Sequence, residues 1–396
     1  MNSRGAAGDV PAGITLSNWL SPPFSQWSFQ HVEDFVPTAL ISRGTATIAP
    51  LPPGPSSELA SIAVPAARGG DTTVGEIMDA TATDGWAVAH RGSLVCEDYR
   101  GTMAADTRHL LFSVSKSMVA TVVGALYAAN ALEIDAPVTR YVPALDNCGY
   151  SGATVRHLLD MRSGIAFSDN YLHPTAEVHV LDEAMGWAPR VSTNSPATLY
   201  DFLLTLRQKS PHGGAFEYRS CETDVLGWIC EAATGQRMPE LMSELLWGRI
   251  GAHHDASIGV DPSGTGFFDG GISACLCDLI RFGSLFLRDG VSLTGQQVVP
   301  ATWIADTLAG GPDSRAAFAA GPDDAMPGGM YRNQMWFPYP GHTVLLCLGM
   351  CGQMIYINRG ADVVGAKLST QSFAADSQML ADTLRAFDAI SGALAG

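Results

Sequence analysis

The sequence predicts an α/β fold in which an antiparallel sheet is flanked by helices and carries an inserted helical region. Strand-like apolar runs lie near both ends of the chain, whereas helical patterns fill the middle. Strands at both ends with helices between them favour one sheet that is built from the N- and C-terminal parts. We therefore predict a discontinuous α/β domain (residues 1–165 and 270–396) and a mainly helical domain (residues 166–269).

The N-terminal third supplies the first predicted strands and one long helix. The segment up to about Ser57 is polar with scattered aromatic residues, and its proline-rich end indicates a loop. Residues 85–99 are predicted to form two strands around the turn Arg91-Gly92-Ser93. The apolar run from Val114 to Leu132 is too long for a strand, which predicts a buried helix that begins just after Ser113.

Helical patterns dominate the middle of the chain, and strand-like runs return near its end. The predicted helices lie within residues 154–161, 197–206, 223–234, 238–250, 275–288 and 374–389. Glycine, proline, aspartate and alanine are frequent in 310–330, which predicts a long surface loop. The sheet would be completed by three strand-like runs, Val344–Leu348, Met354–Ile357 and Val363–Leu368.

The composition argues against several functional classes. The 396 residues include 39 acidic and 23 basic side chains, which gives a net charge of −16. A nucleic-acid site needs a basic face, so nucleic acid and anionic membrane surfaces are unfavourable partners. No apolar run reaches the about 18 residues of a membrane span. Several of the eight cysteines lie in apolar runs, and this pattern, together with the lack of an apolar leader, favours a reducing, cytoplasmic compartment.

A serine and a lysine at the start of the long helix are the first candidates for chemistry. The chain has only three lysines, and Lys116 falls within the apolar stretch that follows Ser113. A buried ammonium is costly unless its pKa falls or it is paired. The spacing of three residues places both side chains on one helix face, where a desolvated lysine could take the proton of an attacking serine. The helix N-terminus adds N–H groups near a developing oxyanion.

Two later motifs supply further parts of an acyl-transfer site. Tyr218 precedes a predicted helix, and near Lys116 its phenol could relay protons to a leaving group. The turn Gly349-Met350-Cys351-Gly352-Gln353 follows a strand and could present a backbone N–H as a second oxyanion donor. Motifs for other chemistries, namely Gly-x-Ser-x-Gly, His-Glu-x-x-His and a Walker lysine, are absent from the sequence. No metal site is expected.

The order of these motifs resembles that of the serine β-lactamase and penicillin-binding-protein superfamily. The segments SVSK, HLLDMRSGI, YRS and GMCGQ carry the resemblance, which is closest to the class C and esterase branch. Within that branch, the whole chain is similar to the family of 6-aminohexanoate-dimer (nylon-oligomer) amidases. The similar segments are HLLFSVSKSMVATVVGAL, NYLHPTAEVHVLDEAMGW, FEYRSCETDVLGWI and GTGFFDGGIS.

The resemblance implies catalytic roles for four residues. It implies Ser113 as the acylating nucleophile, Lys116 as the base and Tyr218 as a second acid/base. It also implies an oxyanion hole that is formed by the backbone N–H groups of Ser113 and Met350. Whether the serine proton passes to Lys116 directly or to a coupled Tyr218–Lys116 pair stays open.

The same resemblance implies a substrate pocket and no cofactor. Tyr171 would lie on a mobile loop over the site, with Trp187 beside it. Asp182 and Asp269 would be the candidate partners of a substrate ammonium. The expected partner is a small amide or ester, and self-association into a homodimer stays open.

Two departures from the family pattern bear on the substrate. The β-lactamase motif Lys-Thr-Gly is replaced by Cys347-Leu348-Gly349, which offers no cation for a substrate carboxylate, and Cys351 stands where the amidases have histidine. The missing cation favours an amidase or esterase, and the acidic candidates Asp182 and Asp269 favour a substrate with a free amine. We therefore predict a serine hydrolase of short linear amides with a free amine, such as 6-aminohexanoate oligomers, with accompanying esterase activity. A carboxylesterase or acyltransferase is one alternative. A non-catalytic binding module with the same fold is another.

Overall fold

Strands and helices alternate along most of the chain. The structure, a computed structural model, describes residues 10–55, 58–65, 71–322, 325–372 and 374–396. Within these ranges there are thirteen strands: β1 Thr38–Ile41, β2 Ala63–Pro65, β3 Asp71–Thr73, β4 Thr83–His90, β5 Ser93–Tyr99, β6 His109–Leu110, β7 Ala256–Gly259, β8 Ile272–Ala274, β9 Met330–Arg332, β10 Met335–Phe337, β11 Val344–Gly349, β12 Gln353–Asn358 and β13 Val363–Ser369. The same ranges contain twelve α-helices: α1 Ser25–Ser28, α2 Val74–Ala80, α3 Val114–Ala128, α4 Val155–Leu159, α5 Glu177–Met185, α6 Leu199–Leu203, α7 Cys221–Thr234, α8 Met238–Met242, α9 Leu276–Leu287, α10 Ala301–Ala309, α11 Ser314–Ala319 and α12 Ser377–Ala395.

Seven strands form the main antiparallel sheet, in the order β5-β4-β13-β12-β11-β10-β9. Two of them come from the N-terminal part and five from the C-terminal part, which confirms the predicted origin of the sheet. Helices cover both faces: Gly283 of α9 faces Val364 of β13, and Phe387 of α12 lies over the neighbouring Gly365. Because consecutive strand residues point to opposite faces, β13 is buried on both sides.

The apolar helix α3 lies at the centre of the remaining half of the molecule. It is buried from Val114 to Leu126 and packs against α7 and β11. A smaller sheet of order β1-β7-β8-β6 adjoins it, and β6 leads through a short turn into α3. The predicted buried helix is confirmed, but it ends at Ala128 rather than at Leu132. Asn130 adopts a left-handed φ of 57°, so the chain turns away from the helix axis there.

A glycine in α7 permits close packing of the helical region. A Cβ on Gly227 would lie 2.1 Å from the ring of Phe268, which is fully buried. We expect Gly227→Ala to lower the free energy of unfolding by about 1–3 kcal/mol, as measured by urea denaturation. Gly392 in α12 faces open space, so Gly392→Ala should be neutral or stabilising by up to about 1 kcal/mol. Equal stability of the two variants would contradict the packing argument.

The prediction of a continuous surface loop over 310–330 is wrong for part of its length. Helix α11 occupies Ser314–Ala319, and β9 begins at Met330. Phe318 of α11 is buried and stacks on Phe216, so a tertiary contact orders an alanine-rich stretch that has no clear pattern of its own. Residues 323–324 of this segment, and residues 1–9 and 56–57 of the N-terminal one, lie outside the described residues. The domain division after residues 165 and 269 stays a prediction.

Candidate active site

Ser113 is presented by a strained turn between β6 and α3. Phe112 has a positive φ of 46°, which is rare for a residue with a side chain, and the N–H of Leu111 donates to the oxygen of Ile272 at 2.9 Å. The Ser113 hydroxyl makes no capping bond to α3. It instead accepts a hydrogen bond from Lys116 Nζ at 2.8 Å. The predicted serine–lysine contact on one helix face is therefore present.

The Lys116 ammonium is buried and surrounded by acceptors. Its Nζ donates to the main-chain oxygen of Asp269 at 2.8 Å and lies 3.9 Å from Asp269 Oδ1. It also lies 5.2 Å from the centre of the Tyr218 ring. Burial by itself lowers the pKa of Lys116, but the acidic groups around it, Asp269 first, outweigh burial and raise that pKa above the value of free lysine. Most of the lysine is therefore charged, and only its neutral fraction can accept a proton.

Asp224 and Asp269 form a pair of buried carboxyl groups beside Lys116. The N–H of Asp269 donates to Asp224 Oδ1 at 3.1 Å, and the Oδ2 atoms of both side chains lack a hydrogen-bond partner among the described residues. Burial raises the pKa of both groups. The charge of Asp269 raises the pKa of Asp224 further, whereas Lys116 opposes the rise for Asp269. The two carboxyl groups therefore titrate as a coupled pair beside the lysine.

Tyr218 lies just ahead of α7, as predicted, between Lys116 and an aromatic cluster. Its ring stacks on Trp336 with a centroid distance of 5.3 Å and meets Tyr331 edge to face. Burial raises the pKa of Tyr218, while the charge of Lys116 and hydrogen bonding from Ser113 and Lys116 oppose the rise. The phenol is therefore protonated at neutral pH and can donate to a leaving group.

Met350 lies in a tight turn that follows β11 and faces the turn before Ser113. Gly349 is so close to Leu111 that a Cβ there would lie 2.3 Å from the Leu111 oxygen. The Gln353 side chain holds the turn, because its Nε2 donates to the Met350 oxygen at 3.1 Å. The N–H groups of Ser113 and Met350 donate to no acceptor in the part of the chain that the structure describes. Two unpaired donors on one cavity wall can stabilise a tetrahedral oxyanion.

One cavity of about 190 Å³, which we call the acyl cavity, brings the predicted site residues together. Ser113, Tyr218 and Met350 line it, and Lys116 contacts Ser113 from within the core. The four predicted substrate-binding residues also line it: Tyr171, Asp182, Trp187 and Asp269. The rest of the wall consists of Leu20, Phe112, Asp169, Ser220, Phe267, Gly270, Ala374 and Ala375.

The wall of the acyl cavity is acidic. Asp169, Asp182 and Asp269 line it, and none of the described residues that line it is a lysine or an arginine. Burial, followed by the charges of Asp269 and Asp169, raises the pKa of Asp182. Burial also raises the pKa of Asp169 to about 6. A bound cation would offset the repulsion between these groups, so the wall favours a positively charged ligand.

A second, more open cavity of about 400 Å³ adjoins Tyr218. Tyr218 and Asp169 line both cavities, whereas Lys209 and Glu217, which form an ion pair at 3.0 Å, line only the open one. A group bound in either cavity can therefore reach Tyr218.

Sequence reasoning missed Asp169, Asp224 and Leu20. A usable signal existed for Asp224, because Glu222 and Asp224 directly precede the apolar run from Val225 to Cys230 in the same predicted helix. That is the same anomaly that selected Lys116, since buried charges need a partner. Asp169 lies in a polar loop and Leu20 in an irregular segment, and only the fold brings them to the site.

The described residues offer neither a metal centre nor a membrane span. Within them, no group of three or more histidine, cysteine, aspartate or glutamate side chains could hold a metal ion. No helix in the described ranges is both long enough and apolar enough to cross a bilayer.

Known proteins match this chain, two of them over nearly its whole length. Residues 71–389 match the protein family described as Beta-lactamase. The chain is 36% identical over 394 residues to the 6-aminohexanoate-dimer hydrolase of Paenarthrobacter ureafaciens, which covers 98% of this chain and 96% of that protein. A candidate 6-aminohexanoate-dimer hydrolase from Bacillus anthracis superposes with a TM-score of 0.88 at 26% identity, over 96% of this chain and 97% of the other. Esterase EstB of Burkholderia gladioli is 30% identical over 172 residues, which is 40% of this chain and 41% of the esterase.

Proposed function

The chain belongs to the beta-lactamase family of serine hydrolases, and on that premise we propose that it cleaves short linear amides with a free amino end. The observation that carries the proposal is the acidic wall of the acyl cavity beside Ser113, with no described basic side chain on it. Such a wall stabilises a substrate ammonium. The 6-aminohexanoate dimer, after which the similar hydrolase is named, has this chemistry and is the proposed substrate type.

The first half of the reaction forms an ester with Ser113. Its Oγ attacks the amide carbon while the hydroxyl proton passes to Lys116, directly or through Tyr218. The carbonyl oxygen becomes an oxyanion, which the N–H groups of Ser113 and Met350 stabilise. Both donors are fixed by backbone geometry, so they need no rearrangement as the charge develops.

The second half releases the two products in turn. As the carbon–nitrogen bond breaks, the leaving nitrogen takes a proton from Tyr218, and the amine leaves through the open cavity. Lys116 passes the former serine proton to Tyr218, so that the phenol is protonated and the lysine is neutral again. Water then attacks the acyl carbon, its proton goes to the same base, and Ser113 recovers its hydroxyl proton. The acid product carries the former acyl group.

The residue at the position of the third β-lactamase motif argues against a substrate whose carboxylate is bound there. Cys347 stands where that motif has lysine, and its side chain is buried, with its thiol 3.6 Å from the sulfur of Met335. It therefore faces the core and offers no charge to a substrate. This favours linear amides or esters over β-lactams and peptidoglycan.

Asp182→Asn is expected to reduce the preference for cationic substrates. The change keeps the shape of the side chain but removes the carboxylate that faces the ammonium, and hydrogen bonds to charged groups are worth about 1.5–3 kcal/mol. We expect kcat/KM for the 6-aminohexanoate linear dimer to fall about 10- to 100-fold. The kcat/KM for p-nitrophenyl butyrate, a neutral ester, should change little.

Glu183 provides the matched control, because it is the next residue of α5 and its carboxylate accepts from the N–H of Val191 outside the acyl cavity. Glu183→Gln should leave the ratio of amide to ester hydrolysis unchanged. An unchanged ratio in Asp182→Asn as well would contradict the ammonium role.

A carboxylesterase or acyltransferase is the second candidate. It uses the same acyl-serine, and the local identity to an esterase favours it. Turnover of p-nitrophenyl esters without hydrolysis of the linear dimer, or acyl transfer to added amines, would select it.

The proposed compartment is the cytoplasm, which the eight cysteines support because all of them are described and all are free thiols.

A further inference from the structure

The N-terminal segment, defined here as residues 14–36, lies against the acyl cavity although it precedes the family match at residue 71. Leu20 is part of the cavity wall and is packed against the core. Next to it, Trp19 is fully buried and contacts the pocket residue Trp187 edge to face at 5.2 Å. The Trp19 indole N–H donates to the Trp187 oxygen at 3.0 Å.

A second set of contacts ties the segment to the turn that presents Ser113. The oxygen of Phe29 accepts from the N–H of Leu110 at 2.8 Å, within the strand that leads to the nucleophile. The Phe29 ring also meets Phe112 edge to face at 5.0 Å. The segment is therefore fixed at two places beside the reacting centre, which allows it to hold a wall residue in place.

We infer that this N-terminal segment is part of the acyl-binding site, and that Leu20 sets the length of acyl group that the enzyme accepts. The inference rests on the proposed acyl-serine chemistry and adds to it a restriction on the substrate. The class that fits is an unbranched, short acyl chain.

The size of the acyl cavity supports this restriction. Its volume of about 190 Å³ is below the about 300–1,000 Å³ of common small-molecule sites. Trp187 and Phe267, which pack edge to face at 4.9 Å, form a stiff part of the wall. Leu20 is an aliphatic wall residue from a segment of irregular structure, so its replacement changes the cavity volume with little effect on the catalytic groups.

The test uses p-nitrophenyl esters with acyl chains from two to ten carbons, and kcat/KM for each ester. Leu20→Ala removes three carbons from the wall and should move the preferred acyl chain up by about two methylenes. Leu20→Trp fills the cavity and should move it down. For an ester one methylene beyond the wild-type optimum, we expect kcat/KM to rise about fourfold in Leu20→Ala relative to wild type.

Leu16→Ala is the matched control, since it is the same change in the same segment at a side chain that does not line the acyl cavity. It should keep the wild-type chain-length profile. If both Leu20 variants turn over esters with the wild-type profile, the inference is overturned while the acyl-serine chemistry stands. Leu20→Phe replaces Leu20→Trp if the larger side chain prevents folding.

A binding measurement separates this inference from the proposed function. If the wild-type enzyme hydrolyses neither the linear dimer nor any ester, the proposed function fails, and calorimetric titration with n-alkylammonium ions of increasing length still measures the cavity. Longer ions should bind in Leu20→Ala than in the wild type. The same length limit in both proteins would overturn the inference.

Discussion

Replacement of Ser113 by alanine is expected to abolish hydrolysis of both the 6-aminohexanoate linear dimer and p-nitrophenyl butyrate. The Ser113 hydroxyl accepts a hydrogen bond from Lys116 Nζ at 2.8 Å, which places it beside the proposed base. Removal of an acylating serine costs about 10⁴- to 10⁶-fold in kcat, because the remaining oxyanion donors cannot replace the covalent route. Steady-state kinetics on both substrates measure the loss.

Ser115→Ala is the control for damage to the helix. Ser115 lies in the same turn of α3, but its Oγ accepts from the N–H of Ile272 at 3.2 Å and faces away from Lys116. This variant should keep most of the activity, with some loss of thermal stability. A fluorophosphonate, which reacts covalently with an activated serine hydroxyl, should label the wild type and Ser115→Ala but not Ser113→Ala. Labelling of Ser113→Ala, or no labelling of folded wild type, would favour another nucleophile or the non-catalytic binding module.

The candidate catalytic residues Ser113, Lys116 and Tyr218 could be selected from the sequence because local patterns mark them. A lysine in an apolar helix three residues after a serine is an anomaly that the sequence shows directly, and Tyr218 is marked by its place before a helix. The order of these motifs also predicted the family and the fold class, and both are confirmed. Met350 could be selected only through the resemblance, because a backbone N–H donor does not depend on the type of side chain and so gives no signal in the sequence.

The rest of the site depends on long-range packing that no local pattern contains. Leu20 reaches the acyl cavity because Trp19 packs on Trp187, a contact across 168 positions of the chain. Strands β9 and β10 were missed for a similar reason. The turn between them places Asn333 and Gln334 at positive φ, and Gln334 is fixed by bonds to Thr223 and to the oxygen of Leu158. Side chains that are ordered by tertiary contacts do not follow turn propensities.

Lys116→Met should lower kcat/KM for the ester by about 10²- to 10⁴-fold, the usual contribution of a general base. The direction of the pKa shift of Lys116 allows a more specific test, which is the pH dependence of kcat/KM. Because Asp269 raises the pKa of Lys116, only the small neutral fraction of the lysine can take the serine proton at neutral pH. That fraction grows with pH, so kcat/KM should rise on the acid side of the pH profile.

The rise of kcat/KM with pH is called the acid limb below. Asp269→Asn tests whether this limb reports the deprotonation of Lys116. Loss of the carboxylate 3.9 Å from Nζ lowers the pKa of the lysine, so the limb should move to lower pH and the rate at neutral pH should rise. An unmoved limb would contradict the assignment of the limb to Lys116. Asp79→Asn, at an exposed carboxylate paired with Arg100, controls for a general change in charge.

A cationic substrate should act on Lys116 in the same direction as Asp269→Asn. Its ammonium would enter the acidic wall that Asp182 and Asp269 line, and so offset the negative charge that holds the proton on the lysine. The acid limb of kcat for the linear dimer should then lie at lower pH than that for a neutral ester. Substrate binding would thereby increase the neutral fraction of Lys116, so that ammonium binding and bond cleavage would be coupled through this lysine. Superimposable pH profiles for the two substrates would contradict this coupling. The acidic wall would then contribute to substrate binding but not to the protonation state of Lys116.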